Sequence, residues 1–72
     1  MKPESIIVTV SDDRLSEIDE VAKRLEATGM RSLVVLPISG IITGIANEDL
    51  IGQLRKVWGV AAVERDGEME AL

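Results

Sequence analysis

The middle of the chain holds two runs rich in β-branched residues that are separated by one short turn. The first run is Arg31 to Leu36 and the second is Ile41 to Ala46. Pro37 ends the first run, because proline cannot donate a hydrogen bond to a sheet. So short a connection joins only antiparallel neighbours, and the sequence therefore predicts a β-hairpin. Gly44 inside the second run predicts a bulge or the close approach of another backbone.

The segment before the hairpin reads as a strand followed by a helix. Ser5 to Val10 is β-branched almost throughout, which is typical of a strand. Ser11 is predicted to cap a helix and Gly29 to end it. Apolar residues recur between them at helical spacing, at Leu15, Ile18, Val21, Ala22 and Leu25.

The segment after the hairpin reads as a helix followed by a strand. Asn47 is predicted to cap the helix and Gly59 to end it. The apolar residues of this helix are Leu50, Ile51, Leu54, Val57 and Trp58. Val60 to Val63 reads as the last strand, and the residues beyond it show no apolar period, so we expect them to leave the sheet.

The predicted order β-α-β-β-α-β has few compact solutions. Right-handed crossovers and a central hairpin give a four-stranded antiparallel sheet with both helices on one face, the ferredoxin-like α+β sandwich. We predict this domain over residues 1–66 and an extended acidic tail over residues 67–72. Both faces of the strands carry apolar residues, since Ile6 alternates with Ile7 and Leu33 with Val34, so the uncovered face predicts a surface for a partner or for a homodimer. The alternative is a moderately apolar face that stays exposed to solvent.

The composition argues against several classes of function. The chain has no Cys and no His, and Lys2, Lys23 and Lys56 are not expected to be buried, so neither an activated nucleophile nor a Schiff-base lysine is expected. We therefore expect no catalysis, no cofactor and no metal. The net charge of −5 argues against nucleic acid. No run is long enough to span a membrane and no export signal is visible, so a cytoplasmic location is expected.

The C-terminal segment carries a pattern of its own. From Glu68 to Leu72 polar and apolar residues alternate, in the manner of an extended peptide. Such a peptide can add as a strand to the edge of a partner, with Met69 and Leu72 filling pockets. The alternative is a frayed terminus without a binding role.

Four short motifs, taken in this order, resemble one known family. They are Val21-Ala22-x-x-Leu25-x-x-x-Gly29, Leu36-Pro37-x-x-Gly40-x-Ile42-x-Gly44, Val57-x-Gly59-Val60 and Val63-Glu64-x-Asp66. Together they cover nearly the whole chain, which looks like the propeptides of subtilisin-type serine proteases and the stand-alone fungal proteinase inhibitors built on the same domain. The expected function is inhibition, or chaperone-like assistance in folding, of a subtilisin-like serine protease supplied in trans.

The resemblance also implies which residues would contact the protease. The uncovered sheet face would pack on two surface helices of the protease, with Glu64 and Asp66 capping the N-termini of those helices. Carboxylates are stabilised at such positions by the helix dipole.

The tail residues would enter the substrate cleft as a product-like peptide. The resemblance places Leu72 in the primary specificity pocket, Ala71 and Glu70 in the next two subsites, and Met69 in the fourth. Subtilisin-like enzymes favour apolar side chains in the first and fourth subsites, which Leu72 and Met69 supply.

Two other functions fit the predicted fold. One is a small-molecule-binding regulatory module of the ACT type, whose ligand would lie near the first strand-helix loop, Val10 to Asp13. That loop lacks the glycine such sites often use. The other is a structural homo-oligomer that pairs its open sheet faces.

Overall fold

A computed structural model describes residues 2–66. Its strands are β1 (Pro3–Val10), β2 (Arg31–Leu36), β3 (Ile41–Asn47) and β4 (Val60–Arg65), and they form one antiparallel sheet in the order β2-β3-β1-β4. Two α-helices, α1 (Ile18–Thr28) and α2 (Ile51–Leu54), are each preceded by a 3₁₀ helix, at Asp12–Glu17 and Glu48–Leu50. The predicted ferredoxin-like order is confirmed. The predicted tail, residues 67–72, lies outside the described residues.

The helices pack on one face of the sheet and enclose an aliphatic core. Its buried residues are Ile6, Val8, Val10, Ile18, Val21, Leu25, Met30, Ile42, Ala46, Ile51, Leu54 and Val63. Every second residue of β1 enters this core because side chains alternate along a strand. In the described part of the chain no polar or charged side chain is buried, so the core is stabilised by apolar burial and packing.

The first helical segment begins differently from the prediction. Ser11 precedes the 3₁₀ helix and makes no side-chain capping bond, and α1 begins only at Ile18. The Ser11 N–H instead donates to the Gly59 carbonyl at 2.8 Å. This contact between distant residues fixes the start of the segment, and Leu15 is left 38% exposed. The prediction of one continuous helix capped by Ser11 is therefore wrong.

The second helical segment is also shorter than predicted. Asn47 is the last residue of β3 and makes no side-chain capping bond, while α2 ends at Leu54. Beyond it the chain continues in tighter turns, in which the Lys56 N–H donates to the Gln53 carbonyl at 3.0 Å. The prediction of a helix from Asn47 to Gly59 is therefore wrong at both ends.

The chain between α2 and β4 contacts α1 and the 3₁₀ helix before it. The Cζ atoms of Arg14 and Arg24 each lie 4.8 Å from the centroid of the Trp58 ring, which is the distance of a cation–π interaction. Gly59 follows with a φ of 88°, and a Cβ there would lie 2.6 Å from Cγ2 of Val21. The turn before β4 is thus packed closely against the first helical segment.

Strand β4 extends beyond the predicted Val63. Glu64 pairs with Ile7 of β1, and Arg65 is the last residue of the strand. The prediction that the chain leaves the sheet after Val63 is therefore wrong. Strand pairing at a sheet edge uses backbone groups, so it continues through charged residues that carry no apolar pattern.

Gly44 lies where β3 meets the irregular start of β2. A Cβ at Gly44 would lie 2.7 Å from the Arg31 carbonyl oxygen and 2.9 Å from Cε of Met30. The register of β2 against β3 shifts between Arg31 and Val34, and Ser32 in this bulge has a φ of 55°. The predicted close approach at Gly44 is confirmed.

Two glycine substitutions test this packing. Gly44→Ala is expected to destabilise the protein by about 1–3 kcal/mol, because the added methyl group has no space. Gly52→Ala is the matched control, since nothing lies within 4 Å of the added Cβ and the residue is in α2. It is expected to stabilise the protein by about 0.5–1 kcal/mol. Urea unfolding followed by circular dichroism measures both, and equal stabilities for the two variants would contradict the close approach.

Candidate protein-binding surface

No helix of the described chain covers the sheet face opposite α1 and α2. Paired residues of antiparallel strands share a face, so the register defines this surface, which we call the open face. It comprises Pro3, Ser5, Ile7 and Thr9 of β1, Arg31, Val34 and Leu36 of β2, Ile41, Thr43, Ile45 and Asn47 of β3, and Ala62 and Glu64 of β4. None of these residues is buried, whereas their neighbours on the other face form the core.

The open face has an uncharged centre and charged margins. On this face the two central strands contribute uncharged side chains, such as Ile7 beside Thr43. The charged residues of this face stand on the outer strands, with Arg31 on β2 and Glu64 on β4. Protein–protein interfaces have a similar arrangement, in which charged residues are depleted at the centre and the rim is polar.

The two predicted helix-capping residues lie at one margin of the open face. Glu64 is exposed and pairs with Ile7, so its side chain is on the open face. Asp66 is also exposed, and its N–H donates to the Ser5 carbonyl at 2.8 Å. This bond extends the pairing with β1 one residue beyond β4. The structure therefore places both carboxylates at the same edge of one surface.

The predicted cleft-binding residues, Met69, Glu70, Ala71 and Leu72, lie outside the described residues. The described chain ends at Asp66, whose backbone is held against the central strand β1. Whatever follows therefore starts from a fixed point at the margin of the open face, beside Glu64.

The loop that an ACT-type ligand would contact is hydrogen-bonded through its backbone to other parts of the protein. The Val10 N–H donates to the Gly40 carbonyl at 2.9 Å, and the Ser11 N–H donates to the Gly59 carbonyl at 2.8 Å. These two backbone donors are therefore already used. The loop therefore has fewer backbone N–H groups free to bind a small ligand.

A cluster on the helix side was missed by sequence reasoning, which placed Trp58 on the apolar side of a long helix. The two arginines that contact Trp58 also form ion pairs, Arg14 with Glu17 at 3.5 Å and Arg24 with Glu20 at 3.0 Å. Cation–π contacts at exposed sites contribute about 0.5–1 kcal/mol each. The cluster holds the first helical segment against the turn before β4, and it lies away from the open face.

Within residues 2–66 no group of acidic side chains could hold a metal ion, and no helix is long and apolar enough to cross a membrane. Comparison of the chain with protein-family models, curated proteins and solved structures gives no match.

Replacing one residue on each face of β1 with alanine tests the division between the core and the open face. Ile6→Ala is expected to cost about 2–5 kcal/mol, because Ile6 is only 1% exposed and its loss leaves a cavity. Ile7→Ala is expected to cost about 1 kcal/mol, since its side chain is only partly covered. Guanidinium unfolding of both variants at low protein concentration measures the difference. Equal losses would show that the open face is covered in the free protein.

Proposed function

We propose that the chain is a protein-binding domain that inhibits a subtilisin-like serine protease, or assists its folding. It binds by docking the open face on the protease and placing its C-terminal residues in the substrate cleft. The observation that supports this best is the position of Glu64 and Asp66 at the margin of the open face, at the end of the described chain.

The open face supplies the docking area. Its aliphatic and hydroxyl side chains can pack on surface helices of a protease without burying a charge at the centre of the contact. A stable interface of ordinary size buries roughly 800 Å² on each partner. One face of a four-stranded sheet together with an extended segment could supply an area of that order.

The carboxylates orient the domain on the protease. Glu64 is held by strand pairing and Asp66 by its backbone bond to Ser5, so both can project toward helix N-termini without large losses of backbone entropy. A carboxylate at a helix N-terminus contributes about 0.3–1 kcal/mol, and up to about 2 kcal/mol when partly buried.

The residues beyond Asp66 supply the inhibition. Leu72 would fill the primary specificity pocket and Met69 the fourth subsite, with Glu70 and Ala71 between them. A peptide bound in the manner of a product occupies the subsites that a substrate needs. Because the starting point at Asp66 is fixed, the tail reaches the cleft at a high effective concentration once the open face has docked.

Shortening the chain tests the role of the tail. A subtilisin-family protease is titrated with the full chain and with a chain that ends at Asp66. The shortened chain is expected to inhibit at least about 100-fold more weakly, since both apolar anchors are lost. Leu72→Asp should also weaken inhibition strongly, because it brings a charge into an apolar pocket. The control is Leu72→Met, which keeps an apolar side chain. Equal inhibition by the full and shortened chains would contradict the proposed mechanism.

Removing one charge tests the docking orientation. Glu64→Gln is expected to raise the inhibition constant by about 2- to 30-fold, the equivalent of the helix-dipole contribution. The matched control is Glu26→Gln, which removes the same charge from an exposed position on α1. The control is expected to inhibit as the unmodified chain does. If both substitutions change inhibition equally, the effect comes from net charge and Glu64 has no specific contact.

A further inference from the structure

Most of the large apolar side chains that are exposed in the described chain lie in β2 or in the turn after it. Four such side chains are exposed in the described chain, Leu15, Val34, Leu36 and Ile38. Three of them belong to β2 or to the turn that follows it. Val34 is 53% exposed, Leu36 is 42% exposed and Ile38 is fully exposed.

The two edges of the sheet differ in charge. The outer strand β4 carries Glu64 and Arg65, and its pairing with β1 is interrupted by a register shift at Thr9 and Val10. Charges and irregularities of this kind protect an edge strand from pairing with another chain. In contrast, no charged residue occurs between Ser32 and Ile41, so the β2 edge lacks the protection by charge.

The geometry of β2 limits where another strand can pair. Ser32 is in the left-handed region within the bulge at the start of the strand, and Pro37 follows its last residue. The regular segment between them is Leu33 to Leu36. Its outward N–H and C=O groups face away from β3, because β2 is the terminal strand of the sheet.

We propose that this edge binds a second copy of the same chain. The two β2 strands would pair antiparallel across a twofold axis perpendicular to the sheet, which joins the two sheets into one of eight strands. A register centred on Val35 sets Val34 opposite Leu36 of the second copy. Apolar side chains then meet on both faces of the new pair, and each such cross-strand pair is stabilising.

The charges of β2 favour a second copy as the occupant. The paired segment, Leu33 to Leu36, carries no charge, and Arg31 lies outside it at the bulge, so the positive charges of the two copies do not face each other. Residues 37–40 form the turn and take no part in the pairing. The segment is therefore self-complementary under the twofold operation that closes a dimer.

The dimer does not depend on the proposed inhibition of a protease. β4, which carries Glu64 and is followed by Asp66, forms the opposite edge of the sheet and stays outside the contact. The paired segment is short, and its interface is smaller than the standard of roughly 800 Å² per partner. We therefore expect a dissociation constant of roughly 10–100 μM.

Sedimentation velocity over a range of protein concentrations, without any protease, tests the proposal. The unmodified chain is expected to dimerise reversibly, whereas Val34→Lys is expected to weaken the dimer at least about tenfold through like charges near the axis. Ala62→Lys is the matched control, because it adds the same charge to the same face of the opposite edge strand. It should dimerise normally. A monomer at all concentrations, or equal loss of the dimer in both variants, would overturn the proposal.

Disulfide trapping gives a second readout that does not depend on how well the lysine variant folds. The natural chain has no Cys, so Val34→Cys combined with Leu36→Cys introduces the only thiols. On mild oxidation the double variant is expected to form covalent dimers efficiently. Ala62→Cys combined with Glu64→Cys on β4 is the control and should form few. Equal trapping of both double variants would show that the copies do not pair through β2.

Discussion

The pairing of β1 with a neighbour on each side is the constraint on which the rest of the structure depends. β1 pairs with β3 along one edge and with β4 along the other, and every second residue of β1 enters the core. Since side chains alternate along a strand, a slip of one residue would place Ile7 and Thr9 in the core instead of Ile6 and Val8. The same register that builds the core therefore also decides which side chains form the open face.

The sheet has two faces and two outer edges, and they differ in chemistry. The helices cover one face, while the other has an uncharged centre between charged margins. The edge at β4 carries Glu64, and Asp66 is bonded to Ser5 at the same edge. The edge at β2 is uncharged from Leu33 to Leu36. The proposed protease would therefore use the open face and the β4 margin, whereas the proposed second copy would use the β2 edge.

Local patterns in the sequence predict the order of elements well, because strands and turns are determined by neighbouring residues. The bounds of β2 are those predicted from its β-branched run and Pro37, and the close approach at Gly44 follows from a glycine inside a strand. The helix bounds could not be predicted in this way. Ser11 bonds to Gly59, and Trp58 contacts Arg14, so each helical segment is shaped by residues distant in sequence.

The candidate site could likewise be predicted only in part from the sequence. The apolar character of the open face could be predicted, because it follows from strand alternation at positions such as Ile7 and Val34. The extension of β4 through Glu64 could not, since an edge strand pairs through its backbone and needs no apolar period. The positions of Glu64 and Asp66 beside each other became clear only from their pairing with β1.

The isoleucines offer the most direct test of the central claim, that the open face docks on a protease. Ile7, Ile41 and Ile45 lie on the open face, whereas Ile18 and Ile51 belong to the helices. Methyl NMR spectra of the isoleucine-labelled chain are recorded with and without a subtilisin-family protease whose catalytic serine has been replaced. The account predicts large changes at the three open-face methyl groups and small ones at the helix methyl groups. Changes confined to the helix isoleucines, or no changes at all, would contradict it.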